Sequence, residues 1–225
     1  MEKIRKNLTA LLNCSLFEGM KTGELDILLD CLGAREKTYE KDGRVFAAEE
    51  TPLRFGIVLS GALLVVQDDF WGNRSILERI EPRGLFGTAF VLGGFEKLPV
   101  SVTAAAKTEV LVMNGNGIAR PCRKTCAFHS RLIRNMMENL ARRNVLLVQK
   151  IGHITRRSTR EKLLSYLSSQ ALKIGNDSFE IPFNRQELAD YLAVDRSAMS
   201  SELGRMRDEG LLDFHKNRFA LHKPD

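Results

Sequence analysis

The sequence predicts an α+β chain in three parts: a β-rich N-terminal half, one long amphipathic helix, and a C-terminal unit of short helices closed by a hairpin. Three observations predict it. Between Arg35 and about Met113, short apolar runs such as "RFGIVLSGALLVVQDD" and "VSVTAAAKTEVLVM" are divided by Gly, Pro, Asp and Asn roughly every ten residues, as in an all-β sandwich or barrel. From Ile133 to Ile154, a mostly apolar stripe recurs in alternating steps of four and three, the seam of a coiled coil. Finally, "NRQELADYLAVDRSAMSSELGRMRDEG", Asn184 to Gly210, places two amphipathic helices around one tight turn.

A chain of 225 residues has room for two ordinary domains, and the pattern divides it into residues 1–125, 126–155 and 156–225. With 44% hydrophobic and 28% charged residues, the composition is that of a folded soluble protein. No run approaches the roughly 18 apolar residues of a membrane span, and the apolar stretch after the basic start "MEKIRKNLTALLNC" is too broken for a secretion signal. A cytoplasmic protein with no membrane partner is expected. The formal net charge of +6 invites a nucleic-acid reading. Its distribution argues for caution, because residues 120–154 carry 8 basic and 1 acidic residue, whereas residues 155–225 carry 12 and 11.

Leu8, Leu11, Leu12, Leu16, Leu25, Leu28, Leu29 and Leu32 have helical spacing, so the first 33 residues read as short packing helices. In the β region, "LSGALLVV" reads as a hairpin turning at Gly61, and "FWGNR" as a second turn through Gly72 and Asn73. The long helix, about 28 residues and roughly 42 Å, exceeds what one small domain needs. Its stripe of Ile133, Met137, Leu140, Asn144, Leu147, Ile151 and Ile154 therefore predicts a second copy of the chain as partner. Asn144 falls at an a position, where a polar residue weakens a pair but fixes its register. A helix lying on its own β domain would use the same stripe.

A break near Thr155 to Arg157 precedes a helix capped by Ser158 with Glu161 three residues on. Asn184 and Glu187 form a second capping box, and Leu188, Ala189 and Leu192 give the first motif helix its buried face. Asp195 caps the next helix, with Ala198, Met199, Leu203 and Met206 buried and Arg196, Ser197, Ser200, Ser201 and Arg205 exposed. "LLDFHKNRFALH" closes the unit as a hairpin with Lys216, Asn217 and Arg218 at its tip. The second member of such a helix-turn-helix presents its N-terminal side chains to base edges, and a cationic hairpin tip suits phosphate oxygens.

Taken together, "GLFG" at Gly84 to Gly87, the long helix, and "RQELADYLAVDRSAMSSELGRMRDEGLL" with its following hairpin resemble the cyclic-AMP receptor protein and fumarate-nitrate regulator (CRP/FNR) family over almost the whole chain. The resemblance implies a cyclic-nucleotide-binding-like β-roll, a long dimerisation helix and a C-terminal winged helix-turn-helix. It also implies a homodimer that binds double-stranded DNA, a small-molecule effector, and RNA polymerase as a contact in activators.

The sequence departs from that family in its sensor and in its reading helix. Nucleotide-binding members carry a glutamate after the phosphate-loop glycine and an Arg-Ser pair about ten residues on. Here Thr88 stands at the first place and Leu98 and Pro99 at the second, so a cyclic phosphate meets no matched fork. The expected effector is therefore not cyclic AMP. Its pocket is expected around Phe86, Gly87, Thr88, Ala89, Leu98, Pro99 and Val100, with Leu140 and Val145 from the long helix. Cys14 and Cys31 are too far apart in sequence for an iron-sulfur cluster, and no cofactor or metal is expected. Cys122 and Cys126 have the spacing of one helical turn, which leaves a redox sensor as an alternative reading.

On the reading helix, many relatives carry Glu, Ser and Arg, whereas Ser197, Ser200 and Ser201 stand here after Arg196. Arg196 is the expected guanine contact and Arg205 a backbone contact. His129, His153, His215 and His222 all lie outside the β region, so a metal-dependent enzyme built on the roll would lack its commonest ligand. A dimeric interaction protein that binds no DNA is the remaining alternative.

Overall fold

The computed structural model describes residues 11–119 and 127–222, and they divide into two compact units. One comprises Met1–Asn73 with Leu77–Arg143, the other Arg74–Ile76 with Asn144–Asp225. Among the described residues, no helix is long and apolar enough to cross a membrane. Cys122 and Cys126, and with them the redox alternative, lie outside the described residues, as does Leu8.

The first unit is built on two four-stranded sheets. Strands β1 (Arg35–Tyr39), β8 (Thr108–Asn114), β3 (Arg54–Ser60) and β6 (Leu85–Phe86) form one, in that order. Strands β2 (Arg44–Phe46), β7 (Ser101–Ala104), β4 (Leu63–Asp68) and β5 (Arg74–Ile80) form the other. Strict alternation explains why the first sheet is buried on both faces. Phe55, Ile57, Leu111 and Met113 turn to a helical cluster on one side, while Val58, Val110 and Val112 turn inward to Leu63, Val65, Phe86 and Val102 on the other.

Gly61 does not turn a hairpin. β3 and β4 belong to different sheets, and Ser60 to Ala62 form the corner between them. A register shift between Val58 and Ser60 bends β3 away from β8, the usual way a strand switches sheets. Thr108 then pins the corner, its Oγ1 accepting from Ala62 N at 3.1 Å and donating to Ala62 O at 3.0 Å. Gly61 has φ +77°, and a Cβ there would lie 2.5 Å from Lys107 O, so the corner requires glycine. The second expected turn is present, with Asp69 N donating to Asn73 O at 3.0 Å across the β4–β5 loop.

The helical cluster packs helix α1 (Thr22–Cys31) and the 3₁₀ turn Ser15–Phe17 against the sheet. Short helices α2 (Thr88–Leu92) and α3 (Asn116–Ala119) follow strands β6 and β8. Helix α4, Ala127–Ile154, is the expected 28-residue rod. Its stretch within the first unit buries Leu132 and Met136 in the cluster. Asn135 is buried beside them and donates to Leu16 O and Glu18 O, both at 3.0 Å. Arg143 Nη1 donates to Leu85 O at 3.0 Å, and its guanidinium pairs with Glu78.

The second unit contains the C-terminal part of α4, helices α5 (Thr159–Ile174), α6 (Arg185–Leu192) and α7 (Arg196–Asp208), and a three-stranded sheet. That sheet runs β10 (Leu212–His215), β11 (Arg218–Leu221), β9 (Ser178–Glu180). His129 and His153, which spacing alone could place on the surface, are both buried. His153 Nδ1 lies 2.8 Å from Ser165 Oγ, with its ring edge-on to Tyr166. Burial, with Arg156 nearby, pushes it toward the neutral form. Lys150 sits 4.3 Å over the Tyr191 ring, within an aromatic group that includes Tyr166 and Phe183.

Among the described residues, the opposite stripe of α4 is uncovered. Ile133, Met137, Asn144, Leu147 and Ile151 are exposed, and Ile154 is half-buried. Leu140 departs from the stripe, being half-buried against the helical cluster. Val145, Leu146 and Val148 are exposed as well, so the uncovered apolar band is wider than a two-stranded seam.

Candidate nucleic-acid interface

The α6–turn–α7 geometry follows from two caps. Asn184 Oδ1 accepts from Glu187 N at 2.9 Å while Asn184 N donates to Glu187 Oε2 at 3.0 Å, which fixes where α6 starts. Asp195 Oδ1 accepts from Ala198 N at 2.8 Å and from Ser197 Oγ at 2.5 Å, which starts α7 after a turn of three residues. The Ser197 hydroxyl first, then the Ala198 amide, hold the Asp195 carboxyl below its ordinary range, so the cap stays anionic at the helix's positive end. Leu188, Ala189 and Leu192 on α6 and Met199, Leu203 and Met206 on α7 are all fully buried, and the two helices pack together. Ala198, expected in this face, is exposed, because the stripe is centred on Leu203 and the first turn of α7 projects beyond it.

The turn carries backbone strain that the sequence hides. Ala193 caps α6 at φ 51°, ψ 60°, a left-handed conformation costing an L-residue about 1–2 kcal/mol. Replacing it with glycine relieves that strain but adds unfolded-state entropy of up to about 1 kcal/mol. Ala193→Gly should therefore stabilise the unit by about 0.5 kcal/mol in urea denaturation; a loss of stability would show that Ala193 makes a compensating contact.

Arg196, Ser197, Ser200, Ser201 and Arg205 are all exposed on α7, as their spacing predicts. Their availability differs. Arg196 and Ser201 make no side-chain hydrogen bond or ion pair among the described residues. Ser197 donates its proton to Asp195, and Ser200 donates to Arg196 O at 2.9 Å, so both hydroxyls are left as acceptors. Arg205 Nη1 contacts Glu202 Oε2 at 3.2 Å. Glu202 in turn accepts from Arg160 Nε at 2.6 Å, and Arg160 Nη2 reaches Glu209 at 2.7 Å. This network joins α5 to α7, and spacing gave no signal for it because Arg160 lies 42 residues from Glu202.

On the hairpin, Lys216 occupies the turn at φ 55°, exposed and without a side-chain partner among the described residues. Arg218, expected to be equally free, pairs with Glu180 across the sheet at 3.4 Å. Asn217 turns inward, its Nδ2 donating to Glu180 Oε1 at 2.8 Å and Ile181 O at 3.1 Å.

The expected effector residues fall in different surroundings. Phe86, Leu98 and Val100 belong to the roll's interior, Gly87 and Thr88 are buried, and Ala89 and Pro99 are exposed. Leu140 packs in the other cluster, and Val145 is exposed. Cys14 is buried, its thiol pushed up by burial, and Cys31 is exposed. No group of three or more His, Cys, Asp or Glu is placed to hold a metal among the described residues.

A capped helix pair about one tight turn, with a sheet and a cationic hairpin beside it, defines a winged helix-turn-helix protein. Residues 161–225 match the Crp-like helix-turn-helix domain and residues 36–124 the cyclic nucleotide-binding domain. The chain belongs to the CRP/FNR family and is a DNA-binding transcriptional regulator of that type.

Solved structures share the fold at low identity. The c-di-GMP-responsive global regulator CLP of Xanthomonas campestris is 13% identical over 91% of this chain and 100% of that one, with a TM-score of 0.74. FixK2 from Bradyrhizobium japonicum is 19% identical over 84% and 93%, at 0.67. A CooA variant from Carboxydothermus hydrogenoformans is 18% identical over 96% and 92%, also at 0.67. No curated protein matches the chain by sequence.

Proposed function

We propose that two copies of this chain pair along the α4 stripe and present two α7 helices to successive major grooves of one DNA duplex. The observation that carries this reading is the uncovered stripe itself: Met137 is 66% exposed and Ile151 55%, on a helix otherwise fastened to its own chain. A second copy covers such a stripe, and Asn144, facing its counterpart across the axis, sets the register. Each α7 then reads one half-site, with Arg196 at its N-terminus directed to a guanine. Ser197 and Ser200, reduced to acceptors, suit the amino groups of cytosine or adenine. Arg205, Lys216 and Arg218 serve the phosphates, Arg205 and Arg218 by exchanging Glu202 and Glu180 for them. The signal that sets this regulator is not cyclic AMP, since Thr88, Leu98 and Pro99 offer no phosphate fork.

Arg196→Ala tests the reading head. Its affinity for a specific duplex should fall by about 1–3 kcal/mol, with preference lost at one base position and random-duplex binding unchanged. Equal losses on both duplexes would make Arg196 a phosphate contact. Affinity for either duplex should also fall steeply as salt rises, whereas an interaction protein indifferent to DNA shows no such slope.

A further inference from the structure

Arg205 is the open end of a row of charges. Its side chain is 70% exposed and holds Glu202 Oε2 through Nη1 at 3.2 Å, whereas the Glu202 side chain is only 14% exposed. An arginine that leaves a nearly buried carboxylate for a DNA phosphate would ordinarily strand that carboxylate, and an unpaired buried charge is costly. Here it is not stranded. The other oxygen, Glu202 Oε1, accepts from Arg160 Nε at 2.6 Å, a bond in which Arg205 takes no part.

Arg160 is fixed from its other side as well. Its Nη2 donates to Glu209 Oε1 at 2.7 Å, so one guanidinium spans two carboxylates seven residues apart, about two turns of helix. The hydrogen bond from Arg160 holds the Glu209 carboxyl below its ordinary range against the opposing effect of burial, and the charge of Arg205 lowers it further. A planar fork of donors can serve both carboxylates at once; a lysine ammonium offers no such fork. Arg160 is the second residue of α5, placed there by the Ser158–Glu161 capping box that starts the helix.

Two cations therefore face two carboxylates along one side of α7. Without Arg160, Arg205 alone would answer both. The same side would then turn surplus negative charge toward a duplex that carries one charge per ~1.7 Å of its axis.

We propose that Arg160 is a positioning residue for DNA binding: it keeps Glu202 and Glu209 paired, so that Arg205 is free to leave them for a phosphate of the duplex. Arg160 acts through Arg205 and makes no DNA contact of its own. The proposal rests on the reading of α7 as the helix that enters the groove, and it holds within one chain.

Arg160→Gln, Glu202→Gln and the double variant test it on a random-sequence duplex titrated between about 50 and 200 mM salt. Arg160→Gln leaves Arg205 as the partner of Glu202. Its affinity should fall about 8-fold at about 0.1 M salt, and its salt slope should become shallower by about 0.9, the share of one phosphate contact. Glu202→Gln releases Arg205 and should bind at least as tightly as the parent, with the parent's slope. The double variant should recover the parent's affinity to within about twofold, and its slope, although Arg160 is still missing.

A staple that only held α5 to α7 would give the opposite pattern: Glu202→Gln would weaken binding, and the double variant would be no better than Arg160→Gln. That result overturns the proposal. So does a slope that stays shallow in the double variant, which would make Arg160 itself a phosphate contact. If Arg160→Gln does not fold, Glu202→Gln carries the test alone, and a loss of affinity there is the contradicting result. A parent that binds no duplex would overturn the reading of α7 and this proposal with it, whereas a parent that binds while the variants miss the pattern overturns the proposal alone.

Discussion

Replacing both Leu147 and Ile151 with aspartate should, on the proposed pairing, convert the protein to single chains and weaken binding to its specific duplex by ~100-fold or more. Both side chains are exposed in the chain, at 43% and 55%, so the substitutions remove little from the fold of one copy. In the pair they would place four carboxylates against apolar partners. Each buried charge costs several kcal/mol unless neutralised. A single copy then binds one half-site and loses the contribution of the second. Sedimentation velocity reads the first effect and a titration of duplex the second. A protein that remains paired, or a single chain that keeps the parent's affinity, would remove the α4 stripe from the account.

Leu203→Ala should destabilise the C-terminal unit by about 2–5 kcal/mol. Leu203 is fully buried at the centre of α7, among Leu188, Leu192, Met199 and Met206. Truncation removes apolar contact and leaves a cavity that two capped helices cannot easily collapse, because Asn184 and Asp195 fix their starts. Since the reading face and the buried face lie on the same 13-residue helix, DNA binding should fail as the unit melts. Urea denaturation followed by circular dichroism would measure it, and a loss below about 1 kcal/mol would show that α7 is held mainly by the Arg160–Glu202–Glu209 network.

The elements most readable in the sequence are those fixed by local chemistry. Capping boxes at Ser158 and Asn184 stand where the side-chain pattern places them, and α4 runs its expected length because a four-three repeat allows little else. What was illegible depends on partners distant in sequence. Gly61 looks like a hairpin turn, yet it makes a corner because Thr108 binds Ala62. His153 could have been a surface histidine, but Ser165 and Tyr166 bury it.

The interface shows the same division. Spacing placed five side chains on the open face of α7, and all five lie there. It could not separate a free Arg196 from an Arg205 held by Glu202, nor foresee that Glu180 would claim both Arg218 and Asn217. Ala193 in a left-handed turn was equally hidden, since glycine is the residue that usually announces one. The residues expected to line an effector pocket differ in burial for a different reason. Those from the roll are close in sequence, but Phe86 at the end of β6 and Leu98 in the loop before β7 enter the roll's core, while Ala89 on α2 and Pro99 face out.

Selecting tight-binding duplexes from a random-sequence pool is the most direct test of two reading helices held by one paired α4. The enriched sequence should be two-fold symmetric, with half-site centres about 10 base pairs apart and a guanine in each half whose preference vanishes in Arg196→Ala. A lone half-site without symmetry, or no enriched sequence at all, would contradict it.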